Sequence, residues 1–516
     1  MSNKASDHLF KLVKSLSKAE KRYFKIYTSR HTIGESNNYH QLFDFIDKME
    51  EFDEEEVKAH FHGESFIQRL SIAKSRLYEA ILKSLDAFYA NSSIEARLKR
   101  TLHCVEILYK KSLYSQASKQ LRSAKKLALK NEKFTSLIEI QVWEKYLIEK
   151  DNYEGIEERK LKQILGDDQD YIQKINAFVQ LWHVKSALLN KLFKRGKARS
   201  KEEIKAFKEI IDKTMSKANF DSFSTDTKYL YYHIYSAYYF AIGDYASSYK
   251  YLVNNEELIR KHPKIFKEEP NIYASVLTNL IYVCQQEQKF DEAKAYLSTL
   301  RVLPEKLNID KTEDLDLRLF ASTYSIELTL YAITGEFEKG IELVPIVEEG
   351  LKLYENKYSA IRKASFYFNI AYLYFGMEDY SNSLKWVNKL LNDIDIDQTE
   401  DLHCFAQLLN LIIHIELSNE RLLPYALRST HRYLTTRNRV YKFESAFLLF
   451  LNKIIKAKNE EQEEAAYQNL LTEIEPLKND PIESSVFEYF DFISWTKSKL
   501  HNKPFVQVVQ EKIGNK

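Results

Sequence analysis

The chain has 516 residues, with 76 Lys and Arg against 74 Asp and Glu and a formal net charge of +2. That balance implies no whole-molecule attraction to nucleic acid or to a membrane surface. Only 11 Gly and 8 Pro occur, far below ordinary usage, so few tight turns and no extended sheet are expected and helix should dominate. The sequence opens MSNKASDHLF and contains no apolar stretch of about 18 residues, the length a spanning helix needs. Neither a signal peptide nor a membrane span is expected, and the expected location is cytoplasmic.

In chain order, residues 1–92 read as a separate helical module. Two amphipathic helices are predicted near Ser6 to Leu16 and Ser17 to Thr28, with Ser17 and Glu20 at the spacing of a capping box. Another covers Tyr39 to Met49. A short acidic helix near Asp53 to Phe61 is broken by Gly63, and a long helix then carries Phe66, Leu70, Ala73, Leu77, Ile81, Leu85 and Phe88 on one face. Arg69, Arg76 and Lys83 lie seven residues apart on it, an arrangement similar to helix-turn-helix DNA readers. A docking or capping module takes precedence, because any solvated helical hairpin produces the same pattern.

From Arg97 to Lys133 the chain is strongly basic, with Glu106 and Glu132 its only acids. Lys119, Arg122, Lys126, Lys130 and Lys133 follow helical spacing opposite Ala117, Leu121 and Ala124, so the stripe should face outward. Nucleic acid is a possible but not a favoured partner of these residues. The polybasic segment Asn190 to Lys208, with Lys191, Lys194, Arg195, Lys197, Arg199 and Lys201 around Gly196, reads as an exposed connection between long helices. Arg428, Arg432, Arg437, Arg439 and Lys442 form a third basic cluster.

One phrase recurs in residues 93–480: an apolar and aromatic helical run, a turn ending in an aromatic, and a second amphipathic helix. It is clearest at Tyr231 to Ile259, Val276 to Leu303, Tyr324 to Leu351 and Phe366 to Leu391. The turns there are Gly243-Asp244-Tyr245, Lys289-Phe290-Asp291, Gly335-Glu336-Phe337 and Glu378-Asp379-Tyr380. A small residue stands three positions after the aromatic and an apolar one four beyond it, as in Phe290, Ala293 and Leu297 or Tyr114, Ala117 and Leu121. Those offsets place them on one helix face, and small residues there allow the paired helix to approach. One such pair cannot bury its apolar sides alone, so neighbours should stack.

The phrase resembles the tetratricopeptide repeat family, most closely over about Tyr229 to Leu391 and also over Thr101 to Leu129. Asn152 to Leu230 fits with insertions and Asp401 to Leu477 loosely. Gly340 and Ser383 stand where the family has alanine, and Gln288 and Glu378 replace the glycine before the turn. The resemblance implies an all-α solenoid of antiparallel helix hairpins whose first helices line a groove for another protein. After Leu477 the run KNDPIESSV breaks the array, and a last helix near Ser484 to Leu500, within a C-terminal segment 481–516, should cap it.

The sequence contains no phosphate-cradling glycine loop, no HExxH and no paired Cys-x-x-Cys. No cofactor is expected, and the reading is non-catalytic. His60 and His62 point to different faces and read as exposed. His103-Cys104 and His403-Cys404 pair adjacent residues that diverge by about 100° on a helix, so neither forms a nucleophile and base. Cys104, Cys284 and Cys404 read as buried, reduced thiols.

Aligned from the turns, the groove candidates are His233, Ala237 and Phe240 on one first helix, Thr278, Tyr282 and Gln285 on the next, then Ser325 and Thr329, then Phe368, Asn369 and Tyr372. In the resembled family some members clamp a carboxylate with Lys or Arg plus Asn at these positions. Asn279 and Asn369 fit the asparagine role, but no Lys or Arg does, which points to a more apolar, aromatic ligand surface. A scaffold that docks a peptide or helix of another protein is therefore the expected function. A transcription regulator with an N-terminal DNA-binding module and a repeat sensor is the alternative.

Overall fold

The computed structural model describes residues 7–31, 36–150, 152–216, 219–307, 313–354, 357–393, 400–480 and 483–514. Every regular element among them is helical. No helix among them is long and apolar enough to cross a membrane. Two compact units divide the chain, Met1–Ile172 and Gln173–Lys516, and the boundary falls inside the helix Glu158–Arg195.

In the first unit, helices His8–Ser15 and Lys18–His31 are separated at the predicted point. Ser6, where the first was expected to begin, lies outside the described residues. Ser17 N–H donates to Glu20 Oε2 at 2.6 Å and Glu20 N–H donates back to Ser17 Oγ at 3.3 Å, the reciprocal box that satisfies two orphan donors at a helix start. Asp53 accepts from Glu55 N–H at 2.8 Å and begins the short acidic helix Glu54–His60. Gly63 turns the chain at φ +97°, and the long helix Leu70–Phe88 buries Leu70, Ala73, Leu77 and Ile81 against the preceding helices. The hairpin Ile94–Lys110 with Tyr114–Lys130 then packs on Phe134–Lys150 around Leu98, Leu121 and Leu137.

In the second unit the repeated phrase forms hairpins: Thr225–Ala241 with Tyr245–Lys261, Pro270–Gln286 with Phe290–Arg301, Glu313–Thr334 with Phe337–Glu342, and Ala360–Gly376 with Tyr380–Asp393. The first helix of each packs on the first helix of the next from Pro270–Gln286 through Glu400–Glu416. The loosely matching stretch 401–477 also forms hairpins, Glu400–Glu416 with Leu423–Thr436 and Lys442–Lys456 with Glu460–Ile474.

A single device builds the turns. Ser112, Gly243, Gln288, Gly335, Glu378 and Ser418 all adopt positive φ, between +52° and +79°. The next N–H donates five residues back, as Asp244 to Tyr239 O at 2.9 Å, Lys289 to Cys284 O at 2.7 Å and Asp379 to Tyr374 O at 3.0 Å. This is the Schellman closure, which satisfies carbonyls a helix end leaves open. The positions where glycine is missing from the phrase therefore make the same corner with a strained L-residue.

The small residue after each turn marks the closest approach of the pair. Ala117, Ser248, Ala293 and Ser383 are at most 1% exposed. Ser248 and Ser383 donate across to the paired helix, to Ser236 O at 2.9 Å and Ala371 O at 2.7 Å. A Cβ on Gly340 would stand 2.5 Å from a Leu373 methyl, so glycine there accommodates Leu373.

Three expectations are corrected. Cys104 is exposed, because Leu98, Leu102 and Val105 already form the buried face of its helix and Cys104 falls off that stripe. The predicted last helix Ser484 to Leu500 is instead a 3₁₀ turn Ser484–Glu488, a break, and the helix Phe492–His501, followed by Phe505–Gly514. Asp491 makes the break by capping the second piece, accepting from Ser494 N–H at 3.0 Å. Residues 481 and 482 of the KNDPIESSV run lie outside the described residues. The Asn190 to Lys208 segment is not a solvated connection throughout. Arg199 is 7% exposed, Ala198 N–H donates to Ala241 O at 2.8 Å, and Lys197 is drawn into the unit.

Candidate functional site

Three first helices present residues toward a common space, with i, i+4 and i+7 spacing on the first of them and i, i+4 pairs on all three. Thr278, Tyr282 and Gln285 come from Pro270–Gln286, Ser325 and Thr329 from Glu313–Thr334, and Phe368, Asn369 and Tyr372 from Ala360–Gly376. Together they line a cavity of about 410 Å³. Phe240 lines an adjoining cavity of about 310 Å³, and the two share Tyr282, Ser365, Leu402, Glu488 and Tyr489 as walls. Nine of the eleven groove candidates thus line one or other of these two cavities.

His233 is the correction. It stacks beside Tyr229, with ring centroids 5.6 Å apart, inside the packing between helices rather than in either cavity. Burial, with Lys185 as a like charge, pushes its imidazole down to about 4. Ala237 likewise belongs to the core of the neighbouring helices. Phe368 and Tyr372 line the cavity while being only 3% and 6% exposed, so most of each ring is core.

The polar groups of the cavity are largely satisfied within the protein. Asn369 Nδ2 donates to Thr329 Oγ1 at 3.0 Å and lies 3.4 Å from Ser325 O. Thr329 and Thr278 hydroxyls donate to the carbonyls of Ser325 and Ala274, at 2.9 and 2.8 Å. Gln285 Nε2 is buried and has no partner.

The chain's own C-terminal segment forms part of the wall of this space. Glu488 accepts from Tyr282 OH at 2.8 Å, from Lys197 Nζ at 2.5 Å and from Tyr245 OH. Lys197 Nζ also lies 4.7 Å from the Phe240 ring centroid and 5.3 Å from that of Tyr282. Burial and the Glu488 carboxylate raise the Tyr282 phenol well above its usual range, so it remains a donor. Tyr489 stacks on Phe405 at 4.0 Å and meets Phe368 edge-on at 6.2 Å. Tyr372 OH accepts from Asp491 N–H at 3.2 Å. The aromatic surface expected for a ligand is therefore partly covered by Tyr489 and Phe490.

Beside it lies a buried ionic centre. Arg199 reaches Glu444 Oε1 at 3.3 Å and Glu483 Oε2 at 3.2 Å, with its guanidinium carbon 3.7 Å from the Tyr441 ring centroid. Glu483 also accepts from Lys442 and Phe443 N–H, each at 3.2 Å, at the start of the Lys442–Lys456 helix. Burial pushes the Glu444 carboxyl up, against the opposing pull of Arg199. Lys197, Arg199, Glu483 and Glu488 were not read as a group from the sequence. The only signals are Ala198 between two cations and an acid inside the apolar run Val486 to Phe490.

The basic candidates lie in the first unit. Lys119, Arg122, Lys126 and Lys130 are exposed, opposite buried Ala117, Leu121 and Ala124. Arg69, Arg76 and Lys83 are exposed too, and Arg69 sits in the 3₁₀ turn before the long helix. Arg69 and Arg76 line a cavity of about 210 Å³ with Tyr39, Phe66 and Ile72. Among the described residues no cluster of three or more His, Cys, Asp or Glu is placed to hold a metal. No protein-family model matches this chain, and no curated protein matches it.

Proposed function

We propose that this chain is a non-catalytic scaffold of the tetratricopeptide-like kind, which captures a segment of another protein on the face formed by its first helices. The observation that supports this is the convergence of side chains from three successive hairpins on one cavity, with neutral polar groups set among aromatic walls. Preformed concave sites of this composition suit a peptide because rings supply area and a few polar groups set orientation.

The test places a photoreactive benzoylphenylalanine at Ser325, inside the cavity, or at Gln116, on the outer face of the first unit. A discrete crosslinked polypeptide from Ser325 alone, lost when Thr329→Trp fills the space, supports the scaffold reading. Crosslinks at Gln116 only, or at Ser325 with no effect of Thr329→Trp, would defeat it.

The second reading is a regulator whose N-terminal module contacts DNA while the repeats sense a partner. The exposure of Arg69, Arg76 and Lys83 supports it.

A further inference from the structure

Gln285 is 5% exposed, yet its Nε2 has no hydrogen-bond partner. Among the described residues it is the one buried, unpartnered side-chain atom in the wall of the first-helix cavity. Buried amide donors are almost always paired, because an unmade hydrogen bond leaves the full desolvation cost. The donors of Asn369, Thr329 and Thr278 are already committed inside the protein. The two charged groups in the wall, Arg362 and Glu488, are of opposite sign, and Glu488 is held by Lys197 and two phenols. Ile326 and Ile333 supply apolar flanks. At about 410 Å³ the space falls within the range of sites that enclose small ligands.

From these observations we infer that the cavity selects an uncharged hydrogen-bond acceptor, an amide carbonyl of a peptide segment, which accepts from Gln285 Nε2. The inference rests on the scaffold reading and specifies the chemistry of what the scaffold takes. A carboxylate is disfavoured because the cation among the described wall residues, Arg362, is already engaged within the protein, and desolvating an unpaired charge is costly. The carbonyl belongs either to the peptide backbone or to an Asn or Gln side chain.

The experiment uses the full chain labelled at Ile δ-methyls, with Ile326 and Ile333 as local reporters in methyl NMR. The probes are N-acetyl-leucyl-leucine methylamide, N-acetyl-leucyl-glutamine methylamide and N-acetyl-leucyl-leucine with a free carboxylate. Both blocked compounds should shift Ile326 and Ile333. The glutamine compound binds more tightly if the side-chain amide is the acceptor, and equally if the backbone is. Gln285→Met should weaken binding about fivefold to tenfold, in line with loss of one neutral hydrogen bond. It should also raise the Tm of the empty protein by about 1–2 °C, since it removes an orphan donor. A purely structural glutamine would instead lower the Tm. Equal or tighter binding of the free acid, or full affinity in Gln285→Met, would overturn the inference while leaving the scaffold reading standing. No shift of either methyl with any probe would overturn it too, and the crosslink from Ser325 then decides the scaffold reading separately.

Discussion

Lys197 Nζ lies 2.5 Å from Glu488 Oε2, across 291 positions of sequence, and both side chains are at most 15% exposed. The contact fixes the turn before the Lys201–Met215 helix to the C-terminal segment that walls the cavity. A buried pair is weak evidence of net stabilisation, but breaking one by removing a single partner is costly. Lys197→Met should therefore destabilise the second unit by about 2–4 kcal/mol in denaturant unfolding, because Glu488 keeps only two phenols. Adding Glu488→Gln should restore part of the loss, and a double-mutant cycle reads the coupling. Additive effects of the two changes would show that the pair is not coupled.

The turns make a second prediction, with opposite signs at equivalent positions. Glu378 and Gln288 hold φ of +61° and +59°, which costs an L-residue about 1 kcal/mol or more. Glu378→Gly and Gln288→Gly should each stabilise by about 0.5–1 kcal/mol. Gly243→Ala should destabilise by about 1 kcal/mol, although a Cβ there meets nothing within 4 Å, because φ is +79°. Thermal unfolding of the three variants checks this, and a neutral Gly243→Ala would remove strain as the cause.

These turns show what was legible in the sequence. Helix and turn positions could be read because apolar periodicity and the aromatic after each corner are local signals. The first-helix face could be read because Thr278, Tyr282 and Gln285 share a face by spacing alone. What closes that face could not, since Glu488 and Tyr489 arrive from more than 100 residues beyond Tyr372, and no local pattern encodes such a return. Lys197 and Arg199 were misread for the same reason: their acids, Glu488, Glu444 and Glu483, are distant in sequence, so the run looked unpaired. Cys104 failed differently, as an apolar run does not say which of its residues leaves the buried stripe.

His233 makes the fold sensitive to acid. Its folded pKa, about 4, lies below the ordinary value near 6.5, so the unfolded chain binds the proton more readily. Stability from this group is complete above about pH 6.5 and is lost as pH falls toward about 4. The expected slope in that window is about 1.4 kcal/mol per pH unit. Unfolding of wild type and His233→Gln at pH 7, 6 and 5 measures it: the advantage of wild type should shrink at each step. A difference that stays constant with pH would mean that His233 titrates normally.

The last prediction separates the scaffold from the nucleic-acid regulator by the placement of charge. Lys119, Arg122, Lys126 and Lys130 form an exposed stripe that can meet phosphates, whereas the whole chain carries a net charge of only +2. Phosphate contacts release counterions, so affinity falls with log salt at a slope of about −0.9 per contact. The full chain should bind random-sequence DNA weakly at low salt and lose it at physiological salt. The variant Lys119→Glu, Arg122→Glu, Lys126→Glu should flatten the slope by about three contacts and leave helicity unchanged. Selection from a random duplex library at physiological salt should recover no defined sequence, since phosphate contacts position a protein without reading bases. Recovery of one sequence, lost in Arg76→Glu, would make the long N-terminal helix a base reader and place the regulator above the scaffold.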